Sequence, residues 1–152
     1  MLKPFSAGLA LTALLAGPAL AETYEVKMLN QDPETGRRMA FQPSVLQIQP
    51  GDTVRFVPAD RGHNSQLIDN MLPAGGTQWR GKLGREIEVT FETEGTFGYK
   101  CQPHYATGMV GLILVGDASV NMDEAKAVEH RGKAKERFAD LFAEAGTMMA
   151  AD

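Results

Sequence analysis

A chain of 152 residues with 15 Lys+Arg against 19 Asp+Glu suits one folding unit and leaves little room for two. Its 43% hydrophobic and 22% charged content fits a globular protein rather than a disordered one, and a formal charge of -4 argues against wholesale nucleic-acid binding. A single cysteine excludes an intrachain disulfide, an all-cysteine metal cage and covalently attached c-type haem, whose motif needs two thiols.

Residues 1–21 carry one charge, Lys3, then an apolar run from Gly8 to Ala16, then Gly17-Pro18-Ala19-Leu20-Ala21. A charged start, a short apolar centre and a small-x-small end predict a secretory signal peptide cleaved after Ala21. The apolar run falls well short of the roughly 20 residues needed to cross a bilayer, which argues against an anchor. Losing Lys3 with the leader makes the remaining chain more acidic. Export exposes a spare thiol to oxidation, so Cys101 should be either protected or used.

From Thr23 to about Val115 the pattern predicts strands and turns. Tyr24, Val26 and Met28 alternate with Glu25 and Lys27, Val54 and Phe56 with Thr53 and Arg55, and Ile87, Val89 and Phe91 with glutamates and Thr90. Turn chemistry separates them at Pro50-Gly51-Asp52, Ala74-Gly75-Gly76 and Glu94-Gly95. Short strands at this spacing predict two antiparallel sheets packed as a sandwich or flattened barrel. Phe97, Tyr99 and Cys101 share one face of a strand, so the thiol should point inward. Val110 to Val115 is apolar on both faces and predicts a central strand.

After Gly116 the period changes to that of helices, giving a tail over about 121–146. Asn121 with Glu124 predicts a capping box on a short helix ending near Glu129. Gly132 separates a second helix, whose stripe of Ala134, Phe138, Leu141, Phe142 and Ala145 should pack on the sandwich. Gly146 predicts its stop, with Thr147 to Asp152 frayed. His130, at the helix junction, is expected to be solvated or capping.

The chemistry concentrates in Cys101-Gln102-Pro103-His104-Tyr105-Ala106-Thr107-Gly108-Met109, with Arg61-Gly62-His63-Asn64 upstream. A thiolate, two imidazoles and a thioether form a soft to borderline donor set suited to copper in both oxidation states. Three strong donors with a weak axial Met is the arrangement of an electron-transfer copper site. Each residue alone has an ordinary alternative: a buried core cysteine, a loop histidine, a methionine filling the core. Their joint spacing favours a metal centre and gives the unpaired thiol a use.

These segments resemble the pseudoazurins, type 1 blue copper proteins of the cupredoxin family. The likeness lies in Tyr24-Glu25-Val26-Lys27-Met28-Leu29-Asn30, Pro50-Gly51-Asp52-Thr53-Val54, Gly62-His63-Asn64, the Cys101-to-Met109 loop and the helical tail. It implies an all-β cupredoxin-like Greek-key sandwich with two C-terminal helices, formed as a single domain by residues 22–152. It also implies one type 1 copper per chain, held by His63, Cys101, His104 and Met109. Asn64 would brace the ligand loops and offer its N–H to the Cys101 sulfur, Pro103 would stiffen the loop, and Met39 would pack near His104.

The resemblance further implies a monomeric, periplasmic one-electron carrier that is not an enzyme. Its port would be the exposed edge of His104, set in an apolar patch that includes Tyr105 and ringed by Arg61, Arg80 and Lys100, with Lys82, Arg37 and Arg38 nearby. The expected partners are redox proteins: a nitrite reductase as acceptor, and cytochrome c or a cytochrome bc complex as donor. Nucleic acid and membrane insertion are not expected. A periplasmic copper carrier or chaperone is the alternative. A copper enzyme fails for want of histidines, and a thiol enzyme would require an accessible thiolate.

Overall fold

Period-two alternation becomes a buried face at once in β1 (Thr23–Gln31), where Val26 and Met28 are fully buried while Glu25 and Lys27 face solvent. The computed structural model describes residues 20–152, so all but the last two residues of the predicted leader lie outside the described residues. β1 pairs with β2 (Arg38–Gln42) and β4 (Thr53–Pro58), and β4 with β6 (Ile87–Thr90), giving one sheet in the order β2-β1-β4-β6. The second sheet runs β3-β8-β7-β5, from β3 (Val45–Ile48), β8 (Val110–Val115), β7 (Gly95–Lys100) and the two-residue β5 (Gln66–Leu67).

The predicted sandwich is present, but its sheets are mixed rather than antiparallel. β1 runs parallel to β4, and β3 parallel to β8. Alternation states which face of a strand is buried; it does not encode the direction of the neighbour. Here the chain leaves the first sheet after β2, forms β3 in the second, and returns as β4 beside β1.

The double-sided strand predicted at Val110 to Val115 has a physical reason. Ile113 and Val115 face the core between the sheets, with Phe41, Phe56, Phe97 and Tyr99. Val110, Leu112 and Leu114 face a second core under the helices, with Phe138 and Leu141. Gly111 lies between them because the Tyr99 ring occupies the space a side chain would fill.

Two helices cover that second core: α1 (Met122–Ala127) and α2 (Lys133–Ala150). The predicted stripe lies on the inner face of α2, with Ala134, Phe138, Leu141 and Ala145 buried and Phe142 packed at the edge. Three expectations about the tail are corrected. Asn121 does not cap α1; its side chain instead bonds the Thr96 backbone in β7, accepting the N–H at 2.7 Å and donating to the carbonyl at 2.9 Å. α1 ends at Ala127 rather than near Glu129. α2 runs through Gly146 to Ala150, because Met148 and Met149 pack on the helical core and extend the apolar stripe past the glycine. No helix among the described residues is long and apolar enough to cross a membrane.

Candidate metal centre

The loop from Cys101 to Met109 closes on itself through backbone hydrogen bonds. The Cys101 N–H donates to the Met109 carbonyl at 3.0 Å, and the Met109 and Thr107 N–H groups both donate to the His104 carbonyl at 3.1 Å. A short 3₁₀ turn over Tyr105–Thr107 lies between. The strand reading holds at its start: Cys101 continues the inward row of Phe97 and Tyr99 and, like Met109, is fully buried in the sandwich core.

His63 comes from the β4–β5 connection and is also fully buried. Its Nδ1 lies 3.7 Å from the Cys101 sulfur and 3.2 Å from Nδ1 of His104, which is itself 3.5 Å from that sulfur. Bonds of roughly 2.1 Å to imidazole and 2.3 Å to thiolate, set in a trigonal plane, place donors about 3.5–3.8 Å apart. The three side chains therefore stand close to the spacing that one metal ion requires.

Electrostatics points the same way. Burial and the neighbouring His104 hold His63 below the ordinary histidine range, against the opposing pull of Asp60. Burial pushes the Cys101 thiol up, while backbone N–H groups of Asn64 and His104 partly restore the thiolate. A buried thiol held protonated is a poor nucleophile, which argues against the thiol-enzyme reading. A cation is what this pocket can stabilise: it would take up the imidazole lone pairs and hold the sulfur ionised.

The supporting contacts orient the donors. Asn64 accepts the Gln102 N–H at 2.7 Å and donates to the Gly81 carbonyl at 3.0 Å and to Gln66 at 3.1 Å, tying the His63 segment to the Cys101 loop. Asn30, absent from the sequence-based site, accepts from Nε2 of His63 at 2.9 Å. That contact places the proton on Nε2 and leaves the Nδ1 lone pair facing Cys101 and His104. The Asn30 N–H is in turn held by the Asp60 carboxylate at 2.7 Å. A lone Asn at the end of a strand gives no sequence signal; only the fold brings it to the histidine.

The remaining predicted residues are distributed around this cluster. Pro103 is exposed beside half-buried His104. Met39 is half-buried, adopts a left-handed φ of 51°, and lines a surface cleft with Thr107, Arg37, Arg38, Lys133 and Arg137. Arg61 and Arg80 are exposed, whereas Lys100 is half-buried. Tyr105, expected on the exposed patch, is instead turned inward at 9% exposure and packs under the helices. His130 is not simply solvated: its Nδ1 lies 2.7 Å from the Tyr105 hydroxyl.

Residues 26–116 match the family model described as copper binding proteins, plastocyanin/azurin family. The chain belongs to this family, in its pseudoazurin branch. It is 41% identical over 139 residues to the pseudoazurin of Methylorubrum extorquens, covering 91% of this chain and 93% of that one. It is 43% identical over 123 residues to the pseudoazurin of Paracoccus pantotrophus, covering 81% and 83%. The crystal structure of native pseudoazurin from Hyphomicrobium denitrificans superposes with a TM-score of 0.75 at 38% identity, covering 80% of this chain and 97% of that one. The cupredoxin fold and an electron-carrier role with one type 1 copper per chain follow from that membership, and the His63, Cys101 and His104 cluster fits such an ion.

Proposed function

We propose that this chain is a periplasmic one-electron carrier whose copper ligands are His63, Cys101, His104 and Met109. The carrying observation is the convergence of the two Nδ1 atoms and the Cys101 sulfur within 3.2–3.7 Å of one another, in a pocket where His63, Cys101 and Met109 are fully buried. Bound there, copper supplies the Cu(II)/Cu(I) couple. The chain's own residues do the rest. Asn30 fixes the His63 tautomer, Asn64 clamps the two ligand segments, and the closed loop holds Cys101 and Met109 against relaxation when the charge changes.

Of the three close donors only His104 is not fully buried, which supports it as the port for electrons. Arg80 and Lys100 line one groove together with Asp69, and exposed Arg61 stands two residues before His63, so we read these cations as a basic face on a net-acidic protein. Such asymmetry steers an acidic redox partner more than it adds affinity. A nitrite reductase as acceptor and a cytochrome c or bc complex as donor fit this description. The leader pattern of residues 1–21 supports export with cleavage after Ala21.

Titration of the processed protein with Cu(II), followed by visible absorption and electron paramagnetic resonance, tests the centre. An intense blue or green band saturating at one copper per chain, with narrow hyperfine splitting, is the expected result. A pale product with wide splitting would place the copper in an ordinary nitrogen–oxygen site and overturn the ligand set.

A further inference from the structure

His130 is the histidine that the proposed centre leaves unused. It lies in the linker between α1 and α2, with its ring stacked on Phe138 of α2 at 4.1 Å and 28°. Its Nδ1 meets the Tyr105 hydroxyl at 2.7 Å, while its Nε2 is buried without a hydrogen-bond partner. Tyr105 is the residue after His104, and its ring carries the Lys100 ammonium at 4.8 Å and the Arg131 guanidinium at 5.6 Å. Two residues beyond His130, Gly132 adopts a φ of +58° and backs onto the turn so closely that a Cβ would meet the Ala106 carbonyl at 2.6 Å. The segment after His104 is thus clamped to the helix linker by one partly buried hydrogen bond and one backbone contact.

We infer that His130 is a positioning residue for the electron port, fixing through the Tyr105 hydroxyl the turn that carries His104. The inference rests on the reading of His104 as ligand and port. A rigid turn limits how far the ring moves as the charge at the centre changes, and the tail is what makes this turn rigid. The same contact makes the port sensitive to the charge on His130. A neutral ring can accept the Tyr105 proton at Nδ1, whereas a protonated ring can only donate there, so protonation reverses the bond.

Protonation also adds a positive charge beside Lys100 and Arg131. The other charged groups around the ring are Glu129 in the linker, Lys126 of α1 and Lys135 of α2. Burial, reinforced by Lys100, holds His130 below the ordinary histidine range. A cation added near the centre favours the reduced state, so the potential should rise as His130 takes up its proton.

The test uses copper-loaded processed protein and the variants His130→Leu, His130→Gln and Tyr105→Phe. Proton NMR of the diamagnetic reduced form gives the titration midpoint of His130, and voltammetry gives the potential between about pH 5 and 8. In the parent, the potential should climb through the His130 midpoint as pH falls. His130→Leu should lose that climb and sit at a displaced potential throughout. His130→Gln, which can still bond the hydroxyl, should restore the high-pH potential without the climb, and Tyr105→Phe should move the His130 midpoint. If His130→Leu does not fold, Tyr105→Phe and His130→Gln decide the matter alone. A blue parent whose potential–pH curve is unchanged in the folded variants overturns this inference only. A parent that never turns blue overturns the proposed centre, and this inference with it.

Discussion

Asn30 does for His63 what a carboxylate does for many metal-bound histidines, holding the far nitrogen so that the near one can bind. Asn30→Ala should therefore weaken copper binding roughly 10–100-fold, measured by competition with a chelator, with the fold intact by circular dichroism. In the proposed centre the Cys101 thiolate supplies the intense visible band, so with Cys101→Ser the band should vanish even where copper still binds. Met109 is the weakly bound fourth donor of that proposed centre, so Met109→Leu should keep both the copper and the colour while shifting the potential. Loss of copper from the Leu variant would contradict the axial role.

At the scale of the element, Asn121 shows how the helical tail is tied to the sandwich. Its amide accepts from the Thr96 N–H and donates to the Thr96 carbonyl, both buried in β7. Asn121→Ala would leave those backbone groups without partners at a cost of about 1–3 kcal/mol, read as a lower denaturant midpoint. The same substitution should leave the visible spectrum of the copper form unchanged, since Asn121 lies outside the ligand cluster. The tail thus serves two ends of the molecule: near Asn121 it seals β7, and near His130 and Gly132 it backs the ligand loop.

Across the whole molecule, charge and protonation decide behaviour in solution. Both His63 and His130 are held below the ordinary histidine value of about 6.5 by burial. The unfolded chain therefore binds more protons than the folded one in the window between those depressed values and about 6.5. Stability linked to the neutral rings is present above that window and is lost as pH falls through it. Copper-free protein should show this loss from both histidines, and copper loading should deepen it, because a metal-bound His63 takes up no proton in the folded state while the unfolded chain still does. Thermal melts across that window, with and without copper, check the sign. Exposed Arg61 and half-buried Lys100 flank the ligand segments, so Arg61→Glu or Lys100→Glu should slow electron transfer to an acidic partner at low salt. The difference should shrink as ionic strength rises, seen in stopped-flow rates.

The sequence by itself determined the β-sandwich class, the central double-sided strand, the inner stripe of α2 and the meeting of His63, Cys101 and His104. These are legible because alternation, helical period and ligand spacing are local, recurring patterns. Partner direction within the sheets was not legible, because pairing is set by how the chain crosses between layers. Neither was the employment of Asn121, whose side chain reaches a backbone far away in sequence rather than its own helix. Gly146 read as a stop because a glycine is locally unfavourable in a helix, yet packing of Met148 and Met149 outweighs that preference. Asn30 and the Tyr105–His130 bond carry no sequence signal at all. Each joins residues distant along the chain, and single polar contacts of that kind exist only once the two cores have brought their elements together.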